Sequence, residues 1–299
     1  VITIAKDLYD TPHRLLLLGV LSVLLIWALQ APSLAFVEEH IAYTLLGVIG
    51  AIFANATGAG GGVVFIPAFE QLNFSSAQAV ATSFGIQCMG MTTGAIVWTR
   101  FYQAKSRGSE ARHWRPFWQV IGLVAPASVA GLWLIYGFNW AAPGSLNALF
   151  GWFSILLGSA ILLLSLCLKL DSEAPLSELS GIDKAALVGI GFIGGAITAW
   201  LSVGVGEILA IYLMLRRFDA IMAVAAAVVV SALTVLCGVL EHLVFNPELY
   251  LPVVMFAGPG AVLGAVLARQ LASRLPVQKL KLMFSLWVLL MGIGSVLNL

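Results

Sequence analysis

The sequence predicts an all-α polytopic membrane protein made of two inverted repeats. Each repeat is a broken, re-entrant helical hairpin plus three spanning helices, and one extra spanning helix precedes them. Three observations predict this. First, 61% of the 299 residues are hydrophobic and only 10% charged, where a soluble domain carries about 25% charge. Second, long apolar segments follow one another along the whole chain. Third, two of these segments are interrupted by glycine-rich stretches, TGAGGGVVFIP (57–67) and SVGVGEILAIY (202–212). Unwound backbone leaves polar groups that lipid cannot satisfy, so it is tolerated only where it is buried in protein or lines a polar cavity. Two breaks at corresponding places in two halves point to a transporter binding site.

Taken in order, the run 15–36 is apolar, follows Lys6 and Arg14, and is not followed by a small-residue cleavage site. It reads as a retained spanning helix rather than a signal peptide, with the roughly 20 residues needed to cross the hydrocarbon core. The first broken segment is 41–72. Uninterrupted apolar runs follow at 76–99, 115–138 and 144–168. The second broken segment is 183–215, and further runs lie at 220–245, 249–272 and 276–297. The domain organisation expected is 1–36 as the N-terminal helix, 37–170 as the first repeat and 171–299 as the second.

Loop charge selects the topology, because Lys and Arg gather on the cytoplasmic side. The 15 basic residues fall at Lys6 and Arg14, between Arg100 and Arg115, at Lys169 and Lys184, at Arg216 and Arg217, and from Arg269 to Lys281. Nine full crossings divide them almost evenly between the two sides. If both broken segments enter and leave on one face, all 15 lie inside. Only acids then remain outside: Glu38, Glu39, Glu70, Glu241 and Glu248. Making 183–215 alone re-entrant, with the N-terminus outside, places 13 inside and 2 outside, but treats two related segments differently and ranks second. The preferred arrangement has a cytoplasmic N-terminus and an external C-terminus. Each half then has an odd number of crossings, so the halves are inverted. Gly58 and Gly60 match Gly204 and Gly206 at an offset of 146, as do Ala77, Ala79 and Ala81 with Ala223, Ala225 and Ala227.

The candidate site follows from the breaks. Gly58, Gly60, Gly61 and Gly62 allow positive φ and close approach of a ligand to backbone. A helix restarting after them offers free N–H groups and the positive end of its dipole, a natural anion site. Asn55 and Thr57 add side-chain hydrogen bonds. In the second break Ser202, Gly204, Gly206 and Glu207 stand in the same relation. Glu207 is an intramembrane carboxylate, a functional residue by default; it either couples a proton, binds a cation or caps its helix. Gln87, an amide within a span, needs partners and joins the substrate-binding set. Serines and threonines of the spans (Thr82, Ser83, Thr92, Thr93, Ser231, Thr234) read as bonded to their own helices. His242 reads as a solvated interfacial residue, most tryptophans as an interfacial belt, and Trp200 as a possible cavity residue. The cysteines Cys88, Cys167 and Cys237 read as buried small hydrophobes.

A net charge of +1 gives no reason to expect nucleic acid. No HExxH, G-x-S-x-G or Walker A lysine is present, so neither an enzyme nor a cofactor is expected, and no metal site. The partners expected are the bilayer and a small anion, with proton coupling possible; the oligomeric state is left open.

TGAGGGVVFIP, the later SVGVGE-x-x-A-x-Y-L and the duplicated membrane plan resemble the TauE/SafE, or sulfite exporter, family over roughly residues 40–299. The first motif resembles the family's G-x-G-G-G-x-x-x-x-P pattern at Gly58, Gly60, Gly61, Gly62 and Pro67. The second departs from it, with Glu207 and Ile208 in place of glycines and no matching proline. The resemblance implies a transporter of the bacterial-type inner membrane that exports or imports sulfite, sulfoacetate or related organosulfonates. Small carboxylates, other anions, or a non-transporting assembly or sensor subunit are the alternatives.

Overall fold

The computed structural model describes residue 25 and residues 33–107, 111–167, 175–274 and 277–297. Most of the expected N-terminal helix, 15–36, and the 170/171 domain boundary lie outside these. The described residues form eleven α-helices and no named strand. In chain order they are α1 (Leu34–His40), α2 (Ala42–Thr57), α3 (Gly62–Gln71), α4 (Ser76–Lys105), α5 (Phe117–Gly137), α6 (Leu146–Cys167), α7 (Gly181–Leu201), α8 (Val205–Leu215), α9 (Ala220–Leu240), α10 (Leu251–Arg274) and α11 (Val277–Leu297). The expected 36/37 boundary falls inside α1.

Among the described residues, seven helical stretches are long and apolar enough to cross a membrane: Leu34–Thr57, Ser76–Lys105, Phe117–Gly137, Leu146–Leu163, Gly181–Leu201, Ala220–Phe245 and Leu251–Leu271. The chain is therefore a multi-pass membrane protein. In the second broken segment the first limb, α7, alone has crossing length; in the first, α2 has 16 residues and reaches it together with α1. The second limbs, α3 and α8, are short, with 10 and 11 residues.

Local chemistry sets the helix starts. Ser75 Oγ accepts from the Gln78 N–H (3.1 Å) ahead of α4, and Asp219 Oδ1 from the Met222 N–H (2.8 Å) ahead of α9. Each satisfies one of the N–H groups a helix start leaves free. Ser180 and Asp183 form a reciprocal capping box at the start of α7. These caps define correspondences between the halves. Gly58 ends α2 and Ser202 ends α7; Ser75 precedes α4 and Asp219 precedes α9. Both pairs stand 144 residues apart, not the 146 suggested by matching glycines.

Packing repeats in the same way. α2 lies on α10, and α5 lies on α7. A Cβ on Gly47 would run into the Ala257 carbonyl, and one on Gly191 would come 2.7 Å from the Val124 carbonyl oxygen. Gly264 abuts the Val48 carbonyl as Gly131 abuts the Phe192 carbonyl. Such glycines let helix backbones approach without a side chain between them. Counterpart helices pack antiparallel. Gly238 of α9 meets Phe84 of α4, while Gly94 of α4 meets Val228 of α9. In the α6–α11 pair, Gly151 meets the Gly292 carbonyl and Gly292 the Gly151 carbonyl, with Gly158 against Ser285.

Burial follows from these contacts. α9 is apolar on every side and is buried along most of its length, including Ala223, Ala225, Val228 and Val230, as expected for a helix enclosed by others. α6 and α11 turn Leu156, Leu163 and Leu290 outward.

Candidate functional site

The site forms where the tips of the two broken segments meet. α2 ends at Gly58 in the left-handed conformation (φ +83°), with its N–H on the Ala54 carbonyl at 3.0 Å. α3 then folds back, so that Phe65 packs on Gly50, eight residues before the break. α7 ends at Ser202, also left-handed (φ +58°), and Gly204 (φ +146°) leads into α8. Val205 returns to Gly194, again eight residues before the break. Glycine occupies a left-handed position readily; Ser202 does so at about 1–2 kcal/mol. Its side chain is held in return: the Ser202 hydroxyl accepts from Gln87 Nε2 (2.8 Å) and donates to Ser83 Oγ (3.0 Å).

The second hairpin closes at its base. Asp183 Oδ1 accepts from the Tyr212 hydroxyl (2.8 Å) and from Arg216 Nε (2.7 Å), and Asp183 Oδ2 accepts from Ser180. The Leu176 N–H donates to the Arg217 carbonyl at 3.1 Å. The chain therefore leaves α8 beside the point where it entered α7. The exposed Arg112 and Arg115 reach Ser177 and Glu178 at this same end.

At the tips, Glu207 bridges the two breaks. Its Oε2 accepts from the Gly204 N–H at 2.8 Å, which caps its own helix. Its Oε1 accepts from the Gly60 N–H at 2.6 Å, in the other half of the chain. Capping and cross-linking thus coexist in one carboxylate, and the residue is only 2% exposed. Beside it the Gly61 N–H donates to Gln87 Oε1 at 2.7 Å, and Gln87 Nε2 donates to Ser83 Oγ and the Ser202 carbonyl, each at 3.0 Å. Gln87, expected to need partners, has four.

Backbones approach closely here. A Cβ on Gly62 would lie 2.6 Å from the Ser202 carbonyl oxygen, and one on Gly206 would strike Ser231 Oγ and the Gly58 carbonyl. The structure thus gathers Gly58, Gly60, Gly61, Gly62, Gln87, Ser202, Gly204, Gly206 and Glu207. Asn55 and Thr57 turn their donors to their own helix instead, onto the Ala51 carbonyl (2.9 Å) and the Phe53 carbonyl (2.7 Å). Asn55 Oδ1 is buried without a partner, and the Asn55 carbonyl accepts from Trp98 Nε1 at 3.0 Å.

Several residues differ from expectation. Ser83 bonds across to Ser202 rather than only along its helix. Ser231 Oγ is buried, unpartnered, and pressed against Gly206. His242 is buried, with its ring on Phe84 and its Nε2 paired with the Tyr136 hydroxyl at 3.1 Å. Phe84 of α4 and Tyr136 of α5 cover it just beyond the end of α9, so it is not solvated. Trp200 donates to the Trp140 carbonyl at 2.9 Å. Trp98 and Trp114 are buried in an aromatic cluster, while Trp118, Trp140 and Trp152 are exposed. Cys88 and Cys237 are free and half-buried. Asp183 and Thr198 were not among the expected site residues. Thr198 Oγ1 accepts from the Val205 N–H at 3.2 Å, tying the second break to α7. The S-x-x-D spacing of Ser180 and Asp183 was the signal for the base of the hairpin.

Among the described residues no cluster of metal-ligating side chains occurs. The arrangement offers backbone N–H donors from two helix starts, converging on acceptor oxygens. No curated protein and no solved structure matches the chain. The family described as Sulfite exporter TauE/SafE, one of membrane transporters and not of enzymes, matches residues 43–295. With nearly the whole chain covered, both glycine breaks included, the protein belongs to the TauE/SafE sulfite exporter family.

Proposed function

We infer that the protein is a secondary transporter or facilitator, working as an exporter, of small sulfur-containing anions such as sulfite or organosulfonates of the sulfoacetate type. The substrate binds between the two glycine-rich breaks. The observation that carries this reading is the convergence of N–H groups from both breaks on one carboxylate, Gly60 on Glu207 Oε1 and Gly204 on Glu207 Oε2. α3 and α8 rise about 15 and 16 Å, half of the ~30 Å hydrocarbon core, so helices of this length deliver their N–H groups near the membrane centre. Sulfite, sulfonate and carboxylate oxygens all suit such donors. Because a carboxylate already sits on them, small carboxylates form the second reading.

The inverted-repeat architecture is part of the proposal. Counterpart helices packed antiparallel, α4 with α9 and α6 with α11, are related by an axis across them, which supports opposite orientations for the two halves. The shared base of α7 and α8 supports a re-entrant second hairpin. Arg112, Arg115 and Arg216 lie at that end, which favours placing it in the cytoplasm. Alternating access then rocks one hairpin against the other. Export of an anion is assisted by an inside-negative potential, by ~2.3 kcal/mol per charge per 100 mV. Import would need a coupling ion, with Glu207 as proton carrier; among the described residues no charged side chain pairs with it.

The test is flux of sulfite, sulfoacetate and small carboxylates in proteoliposomes. Gly60→Leu and Gly206→Leu should abolish it in folded protein; unchanged flux rejects the site. Glu207→Gln should remove pH-driven but not potential-driven flux if the residue carries the proton.

A further inference from the structure

We propose that the Glu207 carboxylate occupies the seat of the transported anion's head group, so that ligand and Glu207 compete for one pair of backbone N–H groups. The inference rests on the reading of the site as an anion site and identifies what the seat accepts. Capping α8 needs only the bond from Glu207 Oε2 to the Gly204 N–H. The second oxygen goes further, to the Gly60 N–H, so one carboxylate spans the two hairpins. No cationic side chain pairs with it among the described residues. It is held by backbone dipoles, which serve a free anion equally well.

Two features favour replacement over side-by-side binding. The surroundings are closed: a methyl-sized addition at Gly60 would meet both Gln87 Oε1 (3.2 Å) and Glu207 Oε1 (3.4 Å), and one at Gly62 would meet the Ser202 carbonyl. A second oxyanion beside Glu207 would also face a like charge across a few ångströms, in a site that excludes water. A further donor waits unused. Ser231 Oγ is buried, has no hydrogen-bond partner, and lies against Gly206 in the first turn of α8. A carboxylate has two oxygens, and Glu207 uses both on backbone. A sulfite or sulfonate head has a third, for which Ser231 supplies a hydroxyl. The ligand class is therefore an anionic head with two or three oxygens on one carbon or sulfur, carrying a small tail or none.

The sign of one measurement separates a competitor from an ordinary binding residue. Removing a competitor tightens ligand binding, whereas removing a contact weakens it. Purified full-length protein is unfolded thermally in sodium formate or sodium methanesulfonate, with sodium chloride at equal ionic strength as reference. A ligand bound only by the folded state raises the midpoint in proportion to its occupancy. Glu207→Ala leaves the Gly60 and Gly204 N–H groups without an acceptor. It should respond to formate at concentrations at least about tenfold lower than the wild type does. An equal or weaker response overturns the proposal. If Glu207→Ala does not fold, Glu207→Gln replaces it, because its amide offers one acceptor oxygen for two donors. That variant should bind methanesulfonate more tightly than wild type, and equal or weaker binding overturns the proposal. Neither assay needs transport. Formate rescue without flux in proteoliposomes would reject the transporter reading and keep the seat. Flux without rescue would do the reverse.

Discussion

Replacing Gln87 with leucine tests whether the two break tips are locked by one side chain. Leucine has similar bulk but no polar atom. Gln87 Oε1 accepts from the Gly61 N–H, and Nε2 donates to the Ser202 carbonyl; both backbone groups lose their partner where Gln87 is only 2% exposed. An unsatisfied buried group costs about 1–3 kcal/mol, so the two together cost about 2–6 kcal/mol. The Ser202–Ser83 bond survives the change, so the hydroxyls add little. At about 2 °C per kcal/mol for a chain of this size, the unfolding midpoint should fall by about 4–12 °C in detergent. Gln103→Leu, an exposed position on the same helix, is the control and should leave the midpoint unchanged. A Gln87→Leu midpoint within about 2 °C of wild type would refute the view that this amide closes the tips.

Three further outcomes are expected. Gly206→Ala drives a methyl group into Ser231 Oγ and the Gly58 carbonyl, an overpacking worth about 1–3 kcal/mol; Gly122→Ala, with open space around it, should be neutral or stabilising by up to about 1 kcal/mol, as chemical denaturation will read. Asp183→Asn weakens the bond to Arg216 and the reciprocal cap of α7, and should lower stability by about 1–3 kcal/mol, with a smaller difference from wild type at high salt. Ser231→Ala removes a hydroxyl with no partner, so the unfolding midpoint should move by less than about 2 °C, while anion-dependent stabilisation falls.

Much of this arrangement was legible in the sequence. The breaks stood out because glycine density inside an apolar run has few other meanings, and Glu207 and Gln87 because polar groups in such runs need a reason. The partners were not legible, since nothing local connects Gly60 with a carboxylate in the other half. The correspondence between the halves was visible but misregistered. Glycines at the breaks suggested 146, whereas the caps give 144 because Ser202, not a glycine, takes the left-handed turn that ends α7. Better markers existed: Gly47 and Gly50 recur as Gly191 and Gly194 at 144, while Pro126 and Gly131 recur as Pro259 and Gly264 at 133. The offset changes because α4 has 30 residues and α9 only 21, so no single offset aligns the two halves. His242 was misread because its distance from the end of an apolar run says nothing about the helices packed around it.

The crosswise pairing of α2 with α10 and of α5 with α7 bears on how the chain matures. A helix of the first half finds its closest backbone neighbour about two hundred residues later, so the earlier half leaves the ribosome with glycine-lined faces still uncovered. Contacts between residues far apart in sequence form slowly. The order of synthesis and the order of assembly therefore diverge: the first hairpin waits in the bilayer for a helix near the end of the message. Truncation anywhere before α10 would strand α2, and with it one of the two cradles, however intact the first half of the sequence remained.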